Sequence, residues 1–268
     1  MNSRGWVAAL IAIAWLAGCS PGPEKMTLEA QEPLPVHSTD APKATQAPSV
    51  TPRPTDKAPL IRATDIISTP TPSVILCSPL AIHPLEELSQ IIGDPYKPPP
   101  PNKAEERHHG VDFGYYHWQD RDTMLGEPVQ AALSGVVAAA IHDLYPYGNM
   151  VTIESRREHL PAVLLERVEI PPGEALYILY AHLNLPPLVT LGEKVEACQP
   201  LGEVGMSGNT DIPHLHLETR LGPRGTVFES MRFYDTRASQ MEMDNYVRWR
   251  TGGEFRHFDP LILLSPFP

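Results

Sequence analysis

The chain has 268 residues and a formal net charge of −11, because 32 acidic residues outnumber 21 lysines and arginines. This acidic balance, without a basic patch, argues against nucleic acid as a partner, since phosphate binding depends on clustered positive charge. Residues 77–268 suffice for one folded domain.

The first 18 residues predict a signal peptide. Arg4 precedes a short apolar run over residues 6–17, which is too short for a membrane-spanning helix of roughly 20 residues. The run ends in Leu-Ala-Gly-Cys at 16–19, which resembles the lipobox of bacterial lipoproteins. That resemblance implies lipidation of Cys19 and an extracytoplasmic protein anchored to the bacterial cell membrane. A plain N-terminal anchor, or a secretory signal cut elsewhere, would also export the protein.

Two segments separate this signal from the folded part. Residues 19–76 are rich in proline, threonine and serine, and this composition predicts a disordered linker because it cannot bury enough apolar surface to offset its ordering entropy. The linker would suit a tether, and an untargeted disordered tail is the alternative. Residues 77–104 form a lead-in with a short amphipathic stretch. The sequence leaves open whether this lead-in covers a downstream site.

The remaining cysteines pose a separate question. If Cys19 is lipidated, Cys77 and Cys198 remain. An exported protein permits a disulfide between them, and two buried thiols are the alternative.

Short apolar segments with glycine turns predict an all-β domain, mostly antiparallel and with little helix. The strand candidates lie in residues 128–141, 150–154, 175–183, 195–204 and 214–220. Two segments, 156–173 and 222–255, interrupt the pattern and are interpreted as surface insertions. A short helix is expected within the second, over residues 236–250.

Histidine motifs carry the chemistry. In His-Leu-His at 214–216, residues two apart on a strand share one face, so His214 and His216 lie side by side. His108 and Asp112 are both zinc-ligand types, and Gly110 between them allows the loop to fold back. His109 is the competing candidate for the ligand position of His108. Its other roles would be packing or a hydrogen bond to a residue that itself binds the metal.

Together these motifs resemble the LytM/lysostaphin-type zinc endopeptidases, which cut peptide cross-links in bacterial cell walls. The resemblance rests on His-His-Gly-Val-Asp at 108–112, Tyr-Ala-His-Leu at 180–183, the glycine-rich run 205–209, and Pro-His-Leu-His-Leu-Glu at 213–218. It implies a LytM/lysostaphin-like catalytic domain over residues 105–268, including the two insertions.

The resemblance also implies the roles of individual residues. By position, His108, Asp112 and His216 would hold zinc, while His182 and His214 would be the catalytic histidines. The implied activity is hydrolysis of peptide bonds in peptidoglycan stems or cross-bridges by zinc-activated water. Between Asn209 and Pro213 the family usually has Ser/Thr-Gly before the proline, whereas Asp211 and Ile212 stand there in this chain, which puts the substrate preference in doubt.

Other readings stay open. The alternative function is a non-catalytic wall-binding or amidase-activating lipoprotein of the same fold, and a peptidase acting on protein is a third. Glu218 follows His216 by two residues and therefore shares its face, which suits either orienting a histidine or a surface charge. Tyr115, Tyr116 and Trp118 could line a substrate groove or pack in the core.

Overall fold

A computed structural model of the protein describes residues 76–105 and 107–266. The signal peptide predicted over residues 1–18 lies outside the described residues, as does all of the predicted linker over 19–76 except its last residue. Within the described part of the chain, no helix has the length and apolar character needed to cross a membrane.

Ten strands and three short α-helices make up the described part. The strands are β1 Ile92–Asp94, β2 Val111–Phe113, β3 Pro128–Gln130, β4 Gly135–Leu144, β5 Gly148–Arg156, β6 Glu174–Leu183, β7 Lys194–Val195, β8 Pro200–Glu203, β9 Leu215–Pro223 and β10 Arg256–Phe258. The α-helices are α1 Ala162–Arg167, α2 Gln240–Arg250 and α3 Pro260–Leu264. Two 3-10 helices span Leu88–Gln90 and Arg157–His159.

Eight strands form one antiparallel sheet, in the order β1-β2-β9-β6-β5-β4-β7, with β10 also paired to β9. Strands β3 and β8 pair separately as a two-stranded antiparallel sheet. The predicted all-β, mostly antiparallel fold is therefore confirmed. The three-residue strands β1, β2 and β10 lie outside the sequence prediction, because pairing to neighbouring strands is what defines them.

The large sheet is buried on both faces, as the alternation along β6 shows. Leu176, Ile178 and Tyr180 face the main aliphatic core, whereas Tyr177 and Leu179 face a second, mostly aromatic cluster. Successive side chains of a strand point to opposite faces, so one strand can serve two cores. Both faces of the sheet must therefore be covered by other segments of the chain.

Residues 222–255, interpreted from the sequence as a surface insertion, cover the second face. Phe228, Trp249 and Phe255 from this segment are buried in the second cluster, where Trp249 and Phe255 meet Tyr177 edge-on. The helix within this segment, α2, begins at Gln240, whereas the sequence predicts a start at residue 236. Its N-terminus is set by a capping box in which the Ser239 and Glu242 side chains satisfy each other's backbone N–H groups.

The lead-in, residues 77–104, is attached to the sheet. Cys77 and Cys198 form a disulfide with a Cα–Cα distance of 5.5 Å, which decides between the two readings left open by the sequence. Leu80, Leu88 and Ile91 are buried in the main core. Within the lead-in, β1 pairs with β2, where Asp94 lies opposite Asp112.

Candidate metal centre

Strand pairing brings the predicted metal ligands together. In the β2–β9 register, Asp112 lies directly opposite His216. Gly110 allows the preceding turn to approach β9, because a Cβ at this position would lie only 2.4 Å from the carbonyl oxygen of Leu217. This close approach places His108 beside the end of the paired strands β2 and β9.

Three donor atoms from these residues converge. The distance from His108 Nε2 to His216 Nδ1 is 3.1 Å, and from His108 Nε2 to Asp112 Oδ1 it is 3.0 Å. His216 Nδ1 lies 2.7 Å from the same Asp112 oxygen. Among the described residues, these three form a cluster whose donor atoms could hold one metal ion.

The other nitrogen of each imidazole is already engaged. His108 Nδ1 donates to the carbonyl oxygen of Pro95 at 3.0 Å, and His216 Nε2 donates to Glu218 Oε1 at 3.1 Å. Metal-binding histidines characteristically donate their second N–H to a carbonyl or carboxylate, which aims the first nitrogen at the metal. Two imidazoles and one carboxylate also match the ligand types and number of a catalytic zinc site. The residues therefore fit a zinc ion.

The charge balance of the cluster also favours a cation. Burial alone would raise the pKa of the Asp112 carboxyl, but hydrogen bonds from His108 and His216 hold it well below its usual range. Burial opposes protonation of His216, yet the Asp112 and Glu218 carboxylates raise its pKa to about 9. Metal binding at this cluster would compete with protonation of His216.

The two predicted catalytic histidines lie beside this cluster. The ring centroids of His182 and His214 are 4.8 Å apart, and that of His182 is 5.7 Å from His216. His182 Nδ1 donates to the Ser207 carbonyl at 2.7 Å, and His214 Nδ1 donates to the Ile212 carbonyl at 3.0 Å. In the neutral rings both Nε2 atoms are therefore unprotonated acceptors.

His182 reaches this position through an irregularity at the end of β6. The pairing register shifts between Asn149 and Val151, and His182 itself has a φ of 62°. Non-glycine residues in this left-handed region are uncommon and are often found at functional sites. Burial, followed by the neighbouring His216 and His214, lowers the pKa of His182 to about 3. Burial likewise lowers the pKa of His214.

Glu218 is fully buried behind the cluster, which excludes the surface-charge reading. Besides His216, it accepts hydrogen bonds from the Tyr147 hydroxyl at 2.7 Å and from Trp249 Nε1 at 3.0 Å. Arg220 Nε donates at 2.8 Å to Glu218 Oε2, the oxygen that also accepts from Trp249. Burial alone would raise the pKa of the Glu218 carboxyl, but Arg220 and His216 hold it well below its usual range.

His109 points away from the donor atoms. Its ring stacks on His257 with centroids 4.4 Å apart, and its Nδ1 accepts from an Arg220 NH2 group at 3.1 Å. Burial, followed by the charge of Arg250, lowers the pKa of His109 to about 3. Packing is therefore the role of His109 in the structure, and His108 is the histidine that joins the cluster.

The five predicted site residues line one cleft with a volume of about 280 Å³. Pro146, Tyr147 and Asn209 line the same cleft, and its far wall is built by Glu105, Tyr234, Tyr246 and Arg250. Sequence reasoning missed these wall residues, because no motif marks them. Tyr115 and Trp118 pack against the main core, whereas Tyr116 is exposed outside the cleft.

Residues 106–227 match the model of peptidase family M23. This part of the chain is an M23 peptidase domain. The family resemblance predicted from the motifs is confirmed, and the domain contains all five residues that the resemblance singled out.

Solved structures show similarity over about half of the chain. The lysostaphin catalytic domain from Staphylococcus simulans is 26% identical, with a TM-score of 0.35, covering 52% of this chain and 86% of that one. A prophage-encoded M23 protein, EnpA, from Enterococcus faecalis is 24% identical, with a TM-score of 0.35, covering 52% and 87%. A zinc-containing peptidase from Vibrio cholerae is 25% identical, with a TM-score of 0.34, covering 48% and 33%. A comparison with curated protein sequences found no match.

Proposed function

We propose that this protein is a zinc endopeptidase that hydrolyses peptide bonds in peptidoglycan stems or cross-bridges. The observation that carries the proposal is the meeting of His108, Asp112 and His216 in one cleft with two further histidines, inside an M23 peptidase domain. The support for peptidoglycan as substrate is the family resemblance of the motifs around these residues.

His108, Asp112 and His216 would hold the zinc ion. Bound zinc would polarise the scissile carbonyl and lower the pKa of a water molecule toward 7. The chain supplies the orientation of these ligands, because Pro95 and Glu218 accept the outward N–H groups of the two imidazoles. This orientation needs no rearrangement when substrate arrives.

His182 and His214 would accept and donate protons during hydrolysis. Each ring is held by a hydrogen bond from Nδ1 to a backbone carbonyl, so each offers Nε2 as the reactive nitrogen. Their lowered pKa values keep both rings neutral near pH 7, so that each Nε2 is unprotonated and can accept a hydrogen bond. One can accept the proton of the attacking water, and the other can hydrogen-bond to the developing oxyanion or supply the leaving amine with a proton.

We also propose that the protein works outside the cytoplasm, anchored in the bacterial cell membrane through lipidated Cys19. The Leu-Ala-Gly-Cys motif at 16–19 supports the anchor, and residues 19–76 would form the tether. The disulfide between Cys77 and Cys198 supports export, because disulfides persist in oxidising compartments.

The proposal is tested on the full-length protein by zinc content and by release of new amino groups from purified peptidoglycan, with and without chelator. We expect zinc on each chain and chelator-sensitive release. His216→Ala should lose both, whereas His182→Ala should keep its zinc and lose about 10²–10⁴-fold in rate. His117→Ala, at an exposed histidine, is the matched control.

Release that persists in His216→Ala would refute the zinc mechanism. If zinc-free protein activates a wall amidase as well as zinc-loaded protein does, and neither releases amino groups, the non-catalytic alternative replaces the proposal.

A further inference from the structure

Three side chains on the far wall of the cleft bind one carboxylate. Glu105 Oε2 accepts hydrogen bonds from the Tyr234 hydroxyl at 2.8 Å and from the Tyr246 hydroxyl at 3.4 Å. Arg250 Nε donates to the same oxygen at 3.2 Å. A guanidinium combined with two phenol hydroxyls is a strong donor set for a carboxylate, because charge-assisted hydrogen bonds are stronger than neutral ones.

This donor set is held in place by its own neighbours. Tyr246 is buried and its ring stacks on Phe233 with centroids 4.6 Å apart, while Phe233 meets Tyr234 edge-on at 4.6 Å. Arg250 lies one helical turn beyond Tyr246 on α2, and its side chain is only 15% exposed. These contacts do not depend on Glu105, so Tyr246 and Arg250 are held in place for a carboxylate, while Tyr234, which is 63% exposed, is positioned by its contact with Phe233.

The set lies next to the candidate metal centre. Arg250 NH1 is 3.7 Å from Glu218 Oε1, the same oxygen that accepts the Nε2 hydrogen of His216. Tyr246 and Arg250 line the cleft together with the metal-binding residues. A peptide bound across the metal centre can therefore place a nearby carboxylate on this wall.

The donors also come from a part of the chain outside the family match. Tyr234, Tyr246 and Arg250 all follow residue 227, where the match to family M23 ends. They belong to the segment that covers the second face of the sheet. Substrate preference, which differs within a peptidase family, is the property that such an added wall can set.

We propose that Tyr234, Tyr246 and Arg250 form a subsite for a carboxylate of the substrate, and that Glu105 fills this subsite until an acidic peptide displaces it. The inference rests on the proposed function for its substrate class, a peptide with a free carboxylate near the scissile bond. Glu105 is 41% exposed, so its side chain can leave without opening the core. The carboxylate of the substrate then determines which peptides bind, and the Glu105 side chain competes with it for the subsite.

Peptide binding to the full-length protein tests this directly. The protein is treated with chelator, so that no carboxylate is bound by metal and no peptide is cleaved, and affinities are measured by titration calorimetry. Acetyl-Ala-Glu-Ala-amide is compared with acetyl-Ala-Gln-Ala-amide, and acetyl-Ala-Ala-Ala is compared with its C-terminal amide. The first pair tests a side-chain carboxylate and the second pair tests a terminal one.

In at least one pair we expect the carboxylate peptide to bind about tenfold more tightly, since hydrogen bonds to charged groups are the stronger ones. Tyr234→Phe and Arg250→Lys should each reduce that preference at least threefold. Glu105→Gln should tighten binding of the carboxylate peptide several-fold, because the competing charge is gone. Tyr116→Phe, at an exposed tyrosine outside the cleft, should match the wild type.

Equal affinities within both pairs would overturn the subsite, as would a preference that survives in Tyr234→Phe and Arg250→Lys. Unchanged affinities in Glu105→Gln would overturn the competition by Glu105. Wall hydrolysis without any carboxylate preference would refute the subsite and leave the proposed function standing. A carboxylate preference without zinc-dependent hydrolysis would refute the proposed function and leave the subsite standing.

Discussion

His216 Nε2 donates to Glu218 Oε1 at 3.1 Å, although the two residues are only two positions apart on β9. Their side chains leave the same face of the strand, so the candidate ligand and its acceptor come from one stretch of sequence. The acceptor is fully buried and is held by the Tyr147 hydroxyl and the Trp249 indole N–H. The orientation of His216 is therefore set by the strand itself and by the aromatic cluster behind it.

Glu218→Gln should weaken zinc binding about 10–100-fold, because the carboxylate that orients His216 is replaced by a weaker acceptor. The variant should still fold, since Arg220 keeps the carbonyls of Trp249 and Phe255 as acceptors. Zinc affinity is measured by competition with a chromophoric chelator. Glu229→Gln, at an exposed position, is the control. Equal zinc affinities of Glu218→Gln and wild type would show that Glu218 does not support the ligand.

Gly148→Ala should lower the rate of peptide hydrolysis at least about tenfold while the protein keeps its zinc. Gly148 has a φ of 69°, and a Cβ there would lie 2.4 Å from both the carbonyl carbon and the Oγ of Ser207. The Ser207 carbonyl accepts the Nδ1 hydrogen of His182, so displacing it turns the imidazole. Hydrolysis rates and zinc content are measured together.

Gly173→Ala is the control for Gly148→Ala, because it introduces the same kind of backbone strain without a close contact. Gly173 has a φ of 82°, but nothing lies within 4 Å of its Cβ position. The control should lose about 1–3 kcal/mol of stability from strain alone and keep wild-type hydrolysis. Equal loss of hydrolysis in both variants would contradict the role of Ser207 in holding His182.

Removing the disulfide should lower the free energy of unfolding by about 2–5 kcal/mol. Cys77 and Cys198 are 121 residues apart in sequence, and closing a long loop restricts the unfolded chain. Urea unfolding of Cys77→Ala, Cys198→Ala and the double variant should show similar losses, because each removes the same bond. Reduced wild type is the matched control, and oxidised wild type no more stable than these proteins would contradict the prediction.

Acid should destabilise the folded state partly through His109. Burial, followed by the charge of Arg250, lowers the pKa of His109 to about 3. An unfolded histidine has a pKa of about 6.5, so between these values the unfolded chain binds a proton that the folded chain does not. Stability from this residue is therefore present above pH 6.5 and is lost as the pH falls toward 3.

His109→Gln keeps an acceptor for Arg220 but cannot titrate. Its free energy of unfolding should fall less than that of the wild type between pH 7 and pH 5, measured by urea unfolding with chelator present. His117→Gln, at an exposed histidine, is the control. Parallel pH profiles for His109→Gln and wild type would contradict the prediction.

Local patterns were sufficient to predict the long strands of the sheet, and the family resemblance pointed to the five candidate site residues. Period-two alternation identifies strands such as β6 and β9 and puts His214 and His216 on one face, because the period of a strand is a property of the backbone. The family motifs add His108, Asp112 and His182. The structure brings these five residues into one cleft.

Other features depended on partners distant in sequence. The exclusion of His109 from the cluster follows from its stacking on His257 and its hydrogen bond from Arg220, which no local pattern contains. The burial of Glu218 follows from residues 222–255 folding over the second face of the sheet, so that Trp249 covers it.

The sequence by itself determined most of the strand pattern, because the period of a strand depends on residue type and short spacing, and its resemblance to the LytM/lysostaphin-type endopeptidases implied the five candidate site residues. Tertiary structure alone decided which nitrogen of His182 and of His108 is free, since that depends on the Ser207 and Pro95 carbonyls, which come from other segments. It also decided that Tyr234, Tyr246 and Arg250 surround one carboxylate. Their convergence exists only once α2 packs against the sheet, because burial and long-range contacts, not local preference, place those side chains.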